Sequence, residues 1–235
     1  MTETIFTEDA YAESCEAEVV AAGEKGVVLD RTVFYATSGG QPGDTGALRS
    51  AAGREVAVID TVKDRETGDL LHVTEQGVEP PAAGDKVRAV IDWGRRHRHM
   101  RMHTCLHLIC AILDSEITGA SVGSEKGRID LNLAESPDKE ALGYELNRLI
   151  AEDHPVTATW ISDQELAGRP ELVRTMSVKP PSGLGRVRLI SIEGVDLQPC
   201  GGTHVGSTAE IGRVRIGKIE NKGRRNRRIN VLFDE

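Results

Sequence analysis

Four residues in two short stretches have the types and spacing to hold a metal ion. They are His103 and His107 in His-Thr-Cys-Leu-His, and Cys200 and His204 in Cys-Gly-Gly-Thr-His. Imidazole nitrogen and thiolate sulfur are the usual ligands of tetrahedral zinc. Three imidazoles and one thiolate complete such a set, so the expected cofactor is one Zn2+ per chain. Positions i and i+4 lie on one face of a helix, one turn apart, which lets His103 and His107 reach the same ion. The adjacent glycines at 201 and 202 allow a tight turn around it. A His pair at this spacing also occurs as ordinary surface or core residues; the joint occurrence of two pairs is what points to a metal site.

Known zinc hydrolase signatures do not fit. A zinc protease needs Glu after its first His, where this chain has Thr104, and a zinc deaminase needs His-x-Glu with Cys-x-x-Cys. Cys110 lies seven residues after His103, roughly on the same helix face, and is expected to pack as a small core residue. Cys105 points to the other side. His97 and His99, set among arginines, are expected to be solvated or to contact phosphate, and His72 and His154 to be structural.

The elements that must carry these residues follow from the pattern along the chain. Residues 1–92 read as a β-rich domain, with short β-branched runs at 18–21, 26–34, 56–62, 70–74 and 86–92. Gly, Pro and Asp clusters separate them, which predicts a small barrel or sandwich. Residues 93–235 read as an α+β domain. Its main helix covers 95–113, with Met102, Leu106, Ile109 and Leu113 at helical spacing. A second helix is predicted to open with Ser136 as N-cap and Pro137 at its first position, burying Leu142, Leu146, Leu149 and Ile150. Ser162 to Glu165 forms a capping box. Strands are expected at 128–133, 156–161, 185–193, 213–220 and 227–233.

The chain has 235 residues and a net charge of −8, with no basic-then-apolar leader and no apolar run of the roughly 20 residues a membrane helix needs. Four irregularly spaced cysteines make no disulfide framework, so a soluble cytoplasmic protein is expected. The charge is segregated. Residues 213–228 hold eight basic side chains against Glu220 alone, and Arg95, Arg96, Arg98 and Arg101 lead into the first His pair. Such local basic surface on an acidic protein can engage phosphate, or can be a solvated face. No DNA and no membrane partner are expected.

With these pieces in order, the chain resembles the editing domain of alanyl-tRNA synthetases and their free-standing relatives, the AlaX family. Besides the two ligand pairs, the resemblance rests on the segment from Phe34 to Gly46 with its Gly39-Gly40-Gln41-Pro42 core, on Gly127-Arg128-Ile129-Asp130, and on Glu210-Ile211-Gly212 with the run from Lys218 to Gly223. It spans about residue 30 to the end. The editing domain of threonyl-tRNA synthetases carries similar ligand pairs but lacks the Gly-Gly-Gln-Pro segment. Ala36 stands where the family has proline. The chain is too short for an aminoacylation domain and resembles the medium-length, stand-alone type.

That resemblance implies an N-terminal barrel-like domain followed by a domain of the threonyl/alanyl-tRNA synthetase second additional type. It implies an ATP-independent deacylase acting in trans on mischarged tRNA(Ala), chiefly seryl-tRNA(Ala) and also glycyl-tRNA(Ala). A second hydrolytic site is needed because an alanine pocket cannot exclude glycine and only weakly rejects a hydroxyl. Catalytic roles are expected for Gln41, His103, His107 and Cys200, and substrate contacts for Gln41, Thr118, Ser121 and Arg128. Arg128 and Asp130 would also brace the sheet as an ion pair. Arg95, Arg96, Arg98, Lys218, Lys222, Arg224 and Arg225 are the expected tRNA contacts. A non-catalytic structural-zinc module that binds tRNA or a synthetase is the alternative.

Overall fold

The computed structural model describes residues 2–175 and 185–234. The chain forms two compact units, residues 1–38 with 42–97 and residues 39–41 with 98–235. In the first, β1 (Glu3–Thr4) pairs in parallel with the equally short β4 (Arg31–Thr32). The other strands are β2 (Ser14–Gly23), β3 (Gly26–Leu29), β5 (Gly46–Ser50), β6 (Glu55–Lys63), β7 (Leu70–Thr74) and β8 (Lys86–Ile91). They close into a barrel in the order β2-β3-β7-β6-β5-β8, with β8 pairing back onto β2. Closure follows from period-2 alternation. In β8, Val87, Ala89 and Ile91 point inward to meet Val19, Val27, Leu29, Phe34, Leu48 and Val58.

The barrel and the following α+β unit agree with the expected fold class. Strand β5 was not expected. Its sequence, Gly-Ala-Leu-Arg-Ser, has weak β propensity, and it is held by antiparallel pairing to β6 on one side and β8 on the other.

His72 is buried in the barrel as a neutral ring. Its Nδ1 donates to the Val27 carbonyl at 2.9 Å and its Nε2 accepts from Thr32 Oγ1 at 2.7 Å. Burial depresses its pKa to about 4. The unfolded chain therefore takes up a proton near pH 6.5 that the native barrel refuses until about pH 4. Stability is full above that window and falls as pH drops through it, by about 3 kcal/mol. Urea midpoints measured between pH 7 and pH 4 should show this fall, and His72→Gln should flatten it.

In the second unit, α1 (Trp93–Leu113) is the central element, with residues from 98 onward belonging to this unit. Residues 102–110 are all buried, so the helix is enclosed on every side rather than along the single stripe expected. Next come β9 (Ile117–Ser121), β10 (Lys126–Leu131), α2 (Lys139–Ala151), β11 (Val156–Ser162), α3 (Asp163–Ala167), β12 (Arg186–Ile192), β13 (Asp196–Pro199), β14 (Val214–Gly223) and β15 (Asn226–Phe233). They make one sheet of order β14-β15-β10-β9 and another of order β11-β12-β13. Helix α2 buries Leu142, Leu146, Leu149 and Ile150 as expected, but its N-cap is Asp138, not Ser136. The Asp138 carboxylate accepts from Ala141 N at 2.7 Å, which leaves Ser136 and Pro137 ahead of the helix. The Ser162–Glu165 capping box is present. Strands β9 and β13 escaped the pattern because each is short and adjoins a glycine-containing loop. Among the described residues no helix is long and apolar enough to cross a membrane.

Candidate metal centre

The i,i+4 spacing on α1 brings the rings of His103 and His107 within 5.2 Å of one another, centre to centre. The second pair arrives on the loop after β13, and the His204 ring lies 4.2 Å from that of His103. The Cys200 Sγ is 3.5 Å from His103 Nε2 and 3.3 Å from His204 Nε2. One ligand atom from each of the four residues lies within 4.8 Å of all the others. Zinc–nitrogen and zinc–sulfur bonds of ordinary length make tetrahedron edges of about 3.3 to 3.6 Å, so this donor set fits such an ion.

Local chemistry builds the loop that carries Cys200. The Cys200 N–H donates to Arg188 O at 3.1 Å, and Arg188 Nη1 donates back to the carbonyls of Cys200 at 3.2 Å and Gly202 at 2.7 Å. The Gly202 N–H points at the Cys200 sulfur, 3.4 Å away. Neither Gly201 nor Gly202 has a left-handed backbone, so the turn itself does not demand them. Gly202 is required for space: a Cβ there would lie 2.2 Å from His103 Cε1.

Gln41 comes from the glycine-rich segment. Gly40, with φ +84°, has a left-handed backbone, and a Cβ on it would meet Ala120 O at 2.5 Å. This close approach seats the segment on the end of β9, where Val122 N donates to Gly40 O at 2.8 Å. The Gln41 side chain is fully buried. Its Oε1 accepts from Thr203 N at 3.1 Å, and its Nε2 donates to Thr203 Oγ1 at 2.8 Å. A backbone N–H can only donate, so the amide orientation is fixed. The same Oε1, 2.9 Å from His103 Nδ1, must then accept a hydrogen bond from the ring Nδ1–H, leaving Nε2 free to face the sulfur. Gln41 thus holds His103 and the loop from outside the cluster.

Burial works against ionising Cys200, but the His103 and His204 imidazoles outweigh it and hold the thiol well below its ordinary range. Burial also opposes a charge on His107, yet Asp196 and Cys200 raise it to about 9. Burial and then neighbouring His103 push His204 well below its usual value. The surroundings therefore favour the thiolate form that a metal ligand requires.

Cys105 and Cys110 take no part. Burial pushes their thiols up to about 12 and about 11, and Cys110 Sγ points to Ser115 O at 3.7 Å.

Other expected site residues are scattered. Ser121 lies at the end of β9 beside Gly40, but Thr118 sits at the other end, its hydroxyl donating to Asn226 Oδ1 at 3.2 Å. Arg128 pairs with Asp130 at 2.7 Å, and Arg228 adds two bonds of 2.8 Å to the same carboxylate. Arg228 on β15 ties its strand to β10, whereas the Arg128–Asp130 pair stays within β10.

Arg96 cannot contact phosphate. It is fully buried in the first unit, where its Nε donates to both Asp44 oxygens, at 3.1 and 2.9 Å, and its Nη1 to Ala10 O at 2.9 Å. It sits on the enclosed side of α1's first turn. His99 is buried too, not solvated, and His97 stacks on Trp93. Arg95 donates to Gly43 O at 2.9 Å, and Arg98 pairs with Glu125 at 3.2 Å. Lys218 and Lys222 flank Glu220 at 3.6 and 3.4 Å, and Arg224 and Arg225 are exposed at the β14–β15 turn. Arg227 is buried and spends its guanidinium on Asn221 and the carbonyls of Gly223 and Ala134, so the basic run is smaller as a surface than as a sequence.

Two parts of the chain match known family models. Residues 3–95 match the model described as tRNA synthetases class II (A), and residues 187–230 match the Threonyl and Alanyl tRNA synthetase second additional domain. The alanyl-tRNA editing protein AlaX-M of Methanosarcina mazei is 41% identical, over 97% of this chain and 95% of that protein. The alanyl-tRNA editing protein AlaX-L of Pyrococcus horikoshii is 32% identical, over 95% of this chain and 56% of its own length. The alanine–tRNA ligase of Metallosphaera sedula is 36% identical over 93% of this chain but only 25% of the ligase.

Proposed function

The chain belongs to the AlaX family of alanyl-tRNA editing proteins, and on that premise we propose that it is a trans-acting hydrolase of mischarged tRNA(Ala), chiefly seryl-tRNA(Ala) and also glycyl-tRNA(Ala). The observation that carries this reading is the convergence of His103, His107, Cys200 and His204 on one point, on a chain similar to editing proteins over nearly its whole length. These four residues would hold one zinc ion. When bound, zinc supplies a Lewis acid for an ester carbonyl or lowers the pKa of a water. Hydrolysis adds water to the aminoacyl ester and releases the amino acid and the terminal ribose hydroxyl.

Ser121 is the residue we assign to the serine hydroxyl, since it adjoins the segment that delivers Gln41. A site built to bond that hydroxyl would disfavour alanine and glycine alike, because its own polar group would then be left unpaired, which makes glycyl-tRNA(Ala) the slower substrate. Seryl-tRNA(Ala) should therefore be hydrolysed at least roughly 100-fold faster than alanyl-tRNA(Ala) in a deacylation assay. Equal rates would overturn the specificity. Chelation separates this reading from a structural-zinc module. Lost turnover with unchanged circular dichroism supports catalysis, and unfolding supports the module.

Acceptor-stem phosphates are assigned to Lys218, Lys222, Arg224 and Arg225 on the β14–β15 hairpin, with Arg95 and Arg98 as further contacts. Charge reversal of Lys222, Arg224 and Arg225 together should raise KM for tRNA at least roughly tenfold. It should also flatten the dependence of log K on log salt by about 0.7 to 0.9 per lost contact. A KM and slope like the wild type would remove the hairpin from the interface.

A further inference from the structure

A histidine that gives one ring nitrogen to a metal is oriented by whatever holds the other. Gln41 does this for His103. The remaining two rings each face one side chain for which neither ligand spacing nor family resemblance provides a role.

His204 Nδ1 lies 3.1 Å from Thr104 Oγ1. That hydroxyl donates its only proton to Met100 O, at 3.0 Å, one turn back along α1. Its oxygen must therefore accept from the ring, which protonates Nδ1 and leaves Nε2 bare toward Cys200. It also accepts from Val205 N at 3.3 Å, fixing the loop just beyond the ligand. His107 Nδ1 lies 3.3 Å from Asp196 Oδ2, at ion-pair distance but without hydrogen-bond geometry, and the Asp196 side chain is fully enclosed. Gln198 Nε2 donates to the same oxygen at 2.6 Å. Asp196 Oδ1 has no hydrogen-bond partner among the described residues, and the Arg174 guanidinium is 4.0 Å from it. A buried carboxylate so sparsely paired is costly unless positive charge stands next to it.

We propose that Thr104 and Asp196 are positioning residues of the metal centre, Thr104 orienting His204 and Asp196 orienting His107. Asp196 also supplies, with the Cys200 thiolate, the second negative charge needed to balance a divalent ion in an enclosed site. β13 thus delivers both charges, since Asp196 begins the strand and Cys200 follows its end. The proposal rests on the reading of the cluster as a zinc site.

The test is Zn2+ affinity of the metal-free full-length chain, measured by competition with a chromophoric chelator, together with the visible spectrum of the Co2+-loaded protein and circular dichroism. Asp196→Asn and Thr104→Val should each weaken Zn2+ binding roughly 10- to 100-fold and alter the Co2+ bands. Thr104→Ser, which keeps the hydroxyl, should restore both. Asp130→Asn, outside the cluster, should bind as the wild type does. Wild-type affinity in folded Asp196→Asn and Thr104→Val, or an equal loss in Asp130→Asn, would overturn the proposal. If Asp196→Asn does not fold, the contrast between Val and Ser at position 104 decides. A wild type that binds no Zn2+ would instead overturn the zinc reading itself.

Discussion

Gly202→Ala is expected to slow deacylation about 100-fold, while Gly201→Ala, one residue away, leaves it unchanged. A Cβ on Gly202 would lie 2.2 Å from His103 Cε1, 2.5 Å from His103 Nδ1 and 2.8 Å from Gln41 Oε1. Neither neighbour is the free end of a flexible chain. His103 is held between Gln41 and the sulfur, and the Gln41 amide is fixed by Thr203. Either the ring or the loop must therefore move by about an ångström, and misplacement on that scale costs about 100-fold in rate. A Cβ on Gly201 meets nothing within 4 Å, and its backbone is not left-handed. Single-turnover deacylation with both variants, beside Zn2+ affinity, checks the pair. Equal losses would mean that the loop needs two glycines for its backbone rather than for the ring packed against it.

The second large effect is on stability and lies in the barrel. Asp44 and Arg96 are both enclosed, and besides Arg96 the Asp44 carboxylate accepts from Tyr35 N at 2.7 Å. Removing one partner strands the other as a buried charge, at about 3–5 kcal/mol. Asp44→Asn keeps an acceptor for Tyr35 but removes the charge, and Arg96→Met keeps the length but removes the cation. Each alone should lower the urea midpoint sharply. The double variant should be far less destabilised than the sum of the two, since no charge is then left unpaired. Trp93 is the convenient probe, because the chain's other tryptophan, Trp160, lies in the second unit and can be replaced by phenylalanine. Additive losses would show that the pair is not coupled.

What was legible in the chain depended on whether a residue's partner lay close in sequence. Both ligand pairs could be read because a spacing of four residues is local, although Gly202 proved to serve the packing of His103 rather than the turn. The strands at 56–62 and 86–92 could be read because β-branched runs between turn clusters are local too. Arg96 was misread because composition alone does not distinguish an arginine on the enclosed side of α1 from Arg95 beside it. β5 has little β propensity of its own and exists because β6 and β8 flank it. Thr104, Asp196 and Arg188, the residues that orient the cluster, have no periodic signature. Thr104 meets His204 across 100 residues of chain. The one local clue to it was a hydroxyl beside His103 in the buried part of the helix.

The tie between Gln41 and Thr203 has a kinetic consequence. It joins positions 162 residues apart, and Cys200 meets His103 across 97. Contacts of such separation form only after loop-closure entropy has been met, and they slow folding more than they change its end point. The barrel closes through pairings of shorter span, the longest joining Ser14 of β2 to Val90 of β8, and can be complete while the cluster is still open. An ion arriving early would then find at most the two histidines of α1, a weak and unselective site. Refolding from urea should accordingly proceed in two phases, with only the slower one sensitive to Zn2+, so that commitment to metal comes at the end of folding.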